Sequence, residues 1–132
     1  MLASPGRPTR ILLVDDHPAV SQRIGELLAG SVPDAEVVSA VSGEEGLSLA
    51  WTQPFGLVLL DLRLPGRSGI EILKELRAIK PLLPVIIVSS LPDSPYATLA
   101  RRAGAIDFVT KSALVQELGR AVKSALGVSA MT

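Results

Sequence analysis

Residues 57–69 read LVLLDLRLPGRSG, an aliphatic run that stops at Asp61 and opens into a polar turn. Short aliphatic runs bounded by turn residues are typical of strands buried on both faces of a parallel sheet. The residue that follows such a strand lies at the carboxyl edge of the sheet, where open α/β folds bind their ligands. Asp61 therefore stands where the chemistry of such a domain is expected.

Three other polar sites end strand-like runs in the same way: Asp15-Asp16 after ILLV, Ser89 after VIIV, and Lys111 after IDFVT. The carboxyl ends of parallel strands share one edge, so we expect these side chains to gather with Asp61. Three carboxylates, a hydroxyl and a lysine suit a divalent cation and a phosphoryl group.

Helical patterns alternate with the strand-like runs along the chain. The predicted strands are 10–15, 36–40, 56–61, 84–89 and 105–110. Helix starts are predicted at Pro18, at the capping boxes Ser42-x-x-Glu45 and Ser68-x-x-Glu71, at Ser94-Pro95 and at Ser112, with Gly104 and Gly127 as stops. Five strand–helix pairs indicate an α/β fold: a doubly wound (βα)5, flavodoxin-like domain whose five-stranded parallel sheet has the order 2-1-3-4-5.

Length and composition are those of one globular domain: a flexible leader at 1–9, a folded region at 10–127 and a short tail at 128–132. The chain has 132 residues, 48% of them hydrophobic, a net charge of zero and no cysteine. The charge does not favour a nucleic-acid or membrane surface, and disulfides and thiolate metal sites are excluded. No run could span a bilayer and no secretory signal is visible, so a cytoplasmic location is expected.

An oxygen-rich cluster selects a hard cation, and Mg²⁺ is the ion expected here. Asp16 and Asp61 are predicted as direct ligands, with Asp15 acting through water and the backbone carbonyl of Arg63 completing the set. The alternative is that the aspartates are only turn formers or helix caps, since Asp is common before a helix.

A carboxylate beside Mg²⁺ can attack a phosphoryl group and form an acyl phosphate, which makes Asp61 the candidate nucleophile. Lys111 offers a cationic donor and Ser89 a hydroxyl to the phosphoryl oxygens. The alternatives are a solvated lysine and a plain turn serine, with Ser90 competing for the role of Ser89.

Three other residues invite a functional interpretation. His17, the single histidine, follows the acidic pair, but one histidine at a helix start is more often a surface residue than a metal ligand. Trp51 and Tyr96 lie at helical positions and are expected to pack against other side chains, not to stack on a cofactor.

The motifs LLVDDHP at 12–18, LLDLRLPGRSG at 59–69, VIIVSS at 85–90 and DFVTK at 107–111 occur here in one order. In this order and spacing the chain resembles, over 10–127, the receiver domain of bacterial two-component response regulators. The forms VDDHP and LRLPGRSG look most like the branch that carries a LuxR-type helix-turn-helix output domain.

The resemblance implies a phosphorylation-dependent signalling switch, not an enzyme. Asp61 would accept phosphate from a sensor histidine kinase while Asp15 and Asp16 hold Mg²⁺. Ser89 would be the switch hydroxyl, Lys111 the phosphate-sensing lysine and Phe108 the rotating aromatic, while Arg63 and Leu91 would tune the phosphoryl lifetime. The family usually has proline after the lysine, whereas Ser112 stands here.

The resemblance also bears on partners. A homodimer is a further expectation, and DNA would be reached only through an output domain that this sequence does not include. The tail GVSAMT stands where a linker would begin, which favours a fragment over a stand-alone receiver.

Three rival functions remain at this level. A Mg²⁺-dependent phosphohydrolase with an aspartyl phosphate would want an acid at position 63, where Arg stands. A flavin binder would want a Ser/Thr/Gly-rich loop after the first strand, where Asp15-Asp16-His17 stand. A degenerate receiver, which binds partners without phosphate, would not need the complete acidic and lysine set.

Overall fold

The computed structural model describes residues 9–90 and 95–127, and its strands form one parallel sheet. The strands are β1 (Thr9–Val14), β2 (Ala35–Ala40), β3 (Leu57–Leu60), β4 (Val85–Ser89) and β5 (Asp107–Thr110). The helices are α1 (Pro18–Ser31), α2 (Gly43–Thr52), α3 (Gly69–Ile79), α4 (Tyr96–Arg102) and α5 (Leu114–Ala125), and a 3₁₀ turn covers Lys111–Ala113. The strand order is β2-β1-β3-β4-β5, which confirms the predicted topology.

The sheet is covered on both faces because its strands alternate aliphatic side chains between two cores. Leu12 and Val14 of β1 belong to the core under α2, α3 and α4. Ile11 and Leu13 belong to the core under α1 and α5. All four are at most 1% exposed, so β1 is buried on both sides, as its aliphatic run predicts.

Helix starts agree with the sequence in part. At Ser68 the capping box is complete, since its Oγ accepts from the Glu71 amide at 3.2 Å and the Glu71 carboxylate accepts from the Ser68 amide. At Ser42 only half of the box forms, because the Glu45 carboxylate accepts instead from the Val41 amide at 2.8 Å.

The last two helices start later than predicted. α4 begins at Tyr96 after Pro95, and Ser94 lies outside the described residues. Ser112 does not cap α5. It lies inside the 3₁₀ turn, and its hydroxyl is 3.3 Å from the Thr110 hydroxyl, so α5 begins only at Leu114.

Glycine with positive φ ends α4 as predicted. Gly104 has φ +113°, a conformation that other residues avoid, and the helix stops two residues before it. A Cβ at this position would lie 2.5 Å from Cδ of Arg77, so the absence of a side chain also lets α3 pack close by.

At the edge of the sheet opposite the acidic residues, the start of β1 lies close to the end of α5. The Gly56 amide donates to the Arg10 carbonyl at 2.8 Å. A Cβ at Gly56 would lie 3.5 Å from the Thr9 methyl and 3.6 Å from Cδ2 of Leu126. Within the described residues, no helix is long and apolar enough to cross a membrane.

Candidate functional site

Asp15 and Asp61 lie side by side at the carboxyl edge of the sheet, directly after β1 and β3. The Asp61 amide donates to the Val14 carbonyl at 3.0 Å, which fixes the two strand ends together. Oδ1 of Asp15 accepts from the His17 amide at 2.7 Å, and Oδ1 of Asp61 accepts from the Arg63 amide at 3.0 Å. These bonds turn the chain out of each strand, which is why both strands end one residue earlier than predicted.

Both aspartates therefore form turns, as the alternative interpretation expected. Each uses only one carboxylate oxygen, Oδ1, for its turn, and the other oxygen, Oδ2, contacts Lys111. Lys111 Nζ lies 3.0 Å from Oδ2 of Asp61 and 3.1 Å from Oδ2 of Asp15. Asp15 and Asp61 are each 2% exposed, and the Lys111 side chain is 14% exposed. The lysine is thus an ion-pair partner of two buried carboxylates and not a solvated surface residue.

Burial and neighbouring charges have opposite effects on the pKa values of Asp61 and Lys111. Burial raises the pKa of Asp61, although the Arg63 amide and Lys111 stabilise its carboxylate. Burial also acts to lower the pKa of Lys111, but hydrogen bonds and charge from Asp61 and Asp15 outweigh it, so this pKa is raised. The single positive charge of Lys111 does not balance the two negative charges of the buried Asp15 and Asp61 carboxylates. The carboxyl edge of the sheet therefore favours the binding of a further cation.

Asp16 and His17 complete the cluster on the solvent side. The Asp16 side chain is 35% exposed and the His17 ring 55% exposed. Nδ1 of His17 lies 3.0 Å from Oδ1 of Asp15, 3.1 Å from Oδ1 of Asp16 and 3.7 Å from Oδ2 of Asp61. One ligand atom from each of the four residues lies within 4.8 Å of all the others. His17 is an exposed residue, as predicted, although its ring nitrogen lies beside the carboxylates; that it does not bind a metal stays a prediction.

Ser89 and Phe108 lie on the far strands of the same sheet. Ser89 ends β4, is completely buried and pairs in register with Thr110 at the end of β5. Phe108 is 7% exposed and belongs to the core that also contains Ala97 and Ala100 of α4. The small side chains of α4 thus share a core with the aromatic ring.

A family model decides the identity of this arrangement. The model of the response regulator receiver domain matches residues 11–123. The chain belongs to the response regulator receiver domain family. It therefore has the role of that family, phosphorylation-dependent signalling.

Relatives and solved structures agree with this family. The receiver domain is 34% identical over 118 residues to the glycerol metabolism activator of Pseudomonas putida, covering 89% of this chain and 53% of that protein. It is 34% identical over 124 residues to the transcriptional regulatory protein GlrR of Escherichia coli, covering 94% and 28%. The chain thus spans about half, or less, of the curated relatives it matches.

Among solved structures, the response regulator TrrA of Thermotoga maritima, crystallised in complex with Mg²⁺-BeF, superposes with a TM-score of 0.80. The two are 33% identical, and the match covers 89% of this chain and 99% of that one.

Four further residues that the sequence singled out have roles that the structure does not test, or positions that differ from the prediction. The Arg63 amide contacts Asp61, whereas the predicted contact of the Arg63 carbonyl with a metal stays a prediction. Leu91 lies outside the described residues. The packing predicted for Trp51 and Tyr96 was wrong, since they are 64% and 40% exposed.

A cleft of about 570 Å³ lies away from the acidic cluster. Its walls come from the connections before β3 and β4, including Phe55, Pro81 and Leu83. These connections enter the strands at the edge opposite Asp61, so the cleft is not part of the candidate site.

Gly69 sets the distance between α3 and the acidic edge, and we expect Gly69→Ala to destabilise the receiver domain by about 2 kcal/mol. A Cβ there would lie 2.4 Å from the Asp61 carbonyl oxygen and 2.5 Å from Cα of Leu62, and backbone atoms cannot move aside cheaply. Urea denaturation measures the loss. Gly25→Ala is the matched control, because an added Cβ at that helical position meets nothing within 4 Å and alanine favours a helix. Equal stability of Gly69→Ala and wild type would contradict the steric argument.

The raised pKa of Asp61 predicts that Asp61→Asn stabilises the metal-free receiver domain at neutral pH, by about 1 kcal/mol. A carboxyl whose pKa is higher in the folded state destabilises the fold once the pH rises through that pKa. The advantage of the variant should therefore shrink as the pH falls towards the ordinary carboxyl value of 3.8. Denaturation in a chelator at several pH values gives the difference. An advantage that grows on acidification contradicts the sign.

Proposed function

We propose that Asp61 is the phosphoryl acceptor of this receiver domain and that Lys111 and Ser89 contact the phosphoryl oxygens. The observation that carries the proposal is the Asp61 carboxylate, buried at a strand end, 3.0 Å from the ammonium of Lys111 and within one cluster with Asp15, Asp16 and His17. Such a carboxylate can act as a nucleophile, and the ammonium can stabilise the charge of the group it receives.

The donor we propose is a phosphohistidine of a sensor kinase. One carboxylate oxygen of Asp61 forms a bond to phosphorus as the bond from phosphorus to the kinase imidazole breaks, and the electron pair leaves with the imidazole. The product is an acyl phosphate on Asp61. Arg63 follows Asp61 where a phosphohydrolase would want an acid, so we propose that the chain is an acceptor and not a dedicated enzyme.

The donor set fits Mg²⁺, since three carboxylates at the exposed edge offer the hard oxygen ligands that this ion prefers. We propose that Asp16 and Asp61 bind the ion directly, with Asp15 and the Arg63 carbonyl in support. Bound there, Mg²⁺ neutralises charge on the transferred phosphoryl group and aligns it with the attacking oxygen. Lys111 and the Arg63 amide hold the Asp61 side chain in position by the contacts described above.

The switch that we propose couples Asp61 to the face formed by α4, β5 and α5. A phosphoryl group adds roughly −1.5 to −2 charge and three acceptor oxygens, and Lys111 and Ser89 can engage them as Phe108 repacks. Four of the large apolar side chains exposed on the molecule lie on or beside these elements: Tyr96, Leu99, Ile106 and Val115. This apolar surface suits a face that binds a partner, either an output domain or a second receiver in a homodimer.

A transcriptional output is proposed from the relatives, because the protein named GlrR is a transcriptional regulatory protein. The LuxR-type form of that output and the cytoplasmic location expected from the sequence stay predictions.

Incubation with acetyl phosphate tests the proposed function. We expect the intact mass to rise by one phosphoryl group in the presence of Mg²⁺ and to stay unchanged in EDTA. No gain with Mg²⁺, under conditions that phosphorylate a known receiver domain, would refute the acceptor role.

Asp16→Ala should weaken Mg²⁺ binding at least about tenfold, since too few carboxylates remain to dehydrate the ion. Amide NMR shifts should be followed, because the exposed Trp51 at the end of α2 is a poor reporter of the acidic edge. Asp34→Ala is the matched control, an exposed aspartate before β2 at the opposite edge. Equal affinity of Asp16→Ala and wild type excludes Asp16 as a ligand.

A further inference from the structure

We propose that His17 is a nitrogen ligand of the metal site and gives the site a preference for late first-row divalent cations such as Co²⁺ over Mg²⁺. This inference rests on the metal site of the proposed function and adds to it a residue and an ion selectivity. It concerns the ring nitrogen Nδ1, which lies close to oxygens of Asp15, Asp16 and Asp61.

The distances are those between ligands of one ion. In an octahedral site with metal–ligand bonds of about 2.1 Å, neighbouring ligand atoms are about 3.0 Å apart and opposite ones about 4.2 Å apart. Nδ1 of His17 lies 3.0 Å from Oδ1 of Asp15, 3.1 Å from Oδ1 of Asp16 and 3.7 Å from Oδ2 of Asp61. The distances to Asp15 and Asp16 match those between neighbouring ligands of one ion, and in the absence of metal the first is a hydrogen bond between the ring and Asp15.

Local contacts fix the backbone of His17 beside the carboxylates. The His17 amide donates to Oδ1 of Asp15 at 2.7 Å, and Pro18 directly after it begins α1 with a fixed φ. The residue is thus tied on both sides to the segment that presents Asp15 and Asp16, so its backbone needs little reorganisation on binding.

The chemistry of the donor sets the ion. Mg²⁺ takes oxygen ligands, whereas imidazole suits Co²⁺, Ni²⁺ and Zn²⁺. Without metal, Nδ1–H can donate to Asp15. To bind a metal through Nδ1, the neutral ring would have to carry its proton on Nε2, which leaves the lone pair of Nδ1 free for the ion. A site of three carboxylates and one imidazole then accepts both classes of ion but holds the second class by one additional bond.

The chain contains one histidine and no cysteine, so a histidine nitrogen that binds the metal can come only from His17. In tag-free protein labelled with ¹⁵N-histidine, pulsed EPR of bound Mn²⁺ should show a directly coordinated nitrogen whose frequency changes between the ¹⁴N and ¹⁵N samples. A signal that is absent, or that does not respond to the label, overturns the inference.

The selectivity is measured as the ratio of the Mg²⁺ and Co²⁺ dissociation constants, because carboxylates alone already bind Co²⁺ more tightly than Mg²⁺. We expect His17→Asn, which keeps a polar cap before α1 and an oxygen near the position of Nδ1, to change Mg²⁺ affinity less than about threefold and to lower the ratio at least about tenfold. His17→Ala should lower the ratio as well. An unchanged ratio in both variants overturns the inference.

The two proposals fail in different ways. If wild type binds Mg²⁺ and accepts phosphate but shows no nitrogen coupling, only the role of His17 is refuted. If neither Mg²⁺ nor Co²⁺ binds to wild type, the metal site itself is refuted, and the inference falls with it.

Discussion

Asp61→Asn should abolish the mass gain of one phosphoryl group when the protein is incubated with acetyl phosphate and Mg²⁺. Among the carboxylates of the cluster, Asp61 alone follows the central strand β3. Like Asp15, it contacts Lys111 with one oxygen while the other holds a turn, here at Arg63. An amide has neither the negative charge nor the nucleophilic oxygen pair that an acyl phosphate requires. Intact mass spectrometry measures the gain directly.

Asp34→Asn is the matched control for this loss, because it makes the same chemical change at an exposed aspartate before β2. It should gain phosphate as wild type does. An undiminished gain in Asp61→Asn would falsify the assignment and would point to Asp15 or Asp16 as the acceptor.

Lys111→Ala should lose most of the conformational response and a large part of the stability of the metal-free protein. Its removal leaves Asp15 and Asp61, each 2% exposed, without their cation, a change that typically costs about 3 kcal/mol. Mg²⁺ should restore part of that loss, since it supplies positive charge to the same oxygens. Urea denaturation with and without Mg²⁺ measures both effects.

The response is followed by NMR on adding beryllofluoride, a mimic of the phosphoryl group. The ammonium pairs with a carboxylate before activation and with a more highly charged group afterwards, and a ligand shifts a two-state equilibrium only through such a difference. In Lys111→Ala we expect Phe108 and α4 to stay close to their resting shifts. Lys123→Ala, at an exposed position of α5, should behave as wild type. Full wild-type shifts in Lys111→Ala with the mimic bound rule out Lys111 as the coupling residue.

Local signals in the sequence predict the fold because β1, β3 and β4 contain continuous aliphatic runs and turn residues follow them. The run at β1, buried on both faces, indicates an interior strand of a sheet that is covered on both sides, which agrees with the order 2-1-3-4-5. The boundaries depend on individual side chains instead. The Ser42 box fails because Glu45 reaches the Val41 amide, a choice between two neighbouring donors that the spacing alone does not decide.

The acidic edge is predictable for the same reason, since strand ends fix where Asp15, Asp61 and Lys111 meet. His17 could not be placed because its ring contacts depend on how Asp15 turns the chain. The signal was present in the adjacency of His17 to two aspartates, but one histidine beside an acid is common on surfaces. Trp51 and Tyr96 fail for the opposite reason, because aromatic residues at helical positions carry no mark of which face they occupy.

The meeting of Thr9, Gly56 and Leu126 at one edge has a consequence for any longer protein that contains this domain. A chain that continues past Gly127 departs from the pole opposite Asp61, about 20 Å away along the six residues of β1. Phosphorylation of Asp61, as proposed above, would act at a distance on a domain held at that pole, as a coupling free energy passed through packed elements. Couplings of this kind are typically about 1–3 kcal/mol, which limits phosphorylation to roughly a 5–150-fold change in the affinity of the attached domain for its own ligand.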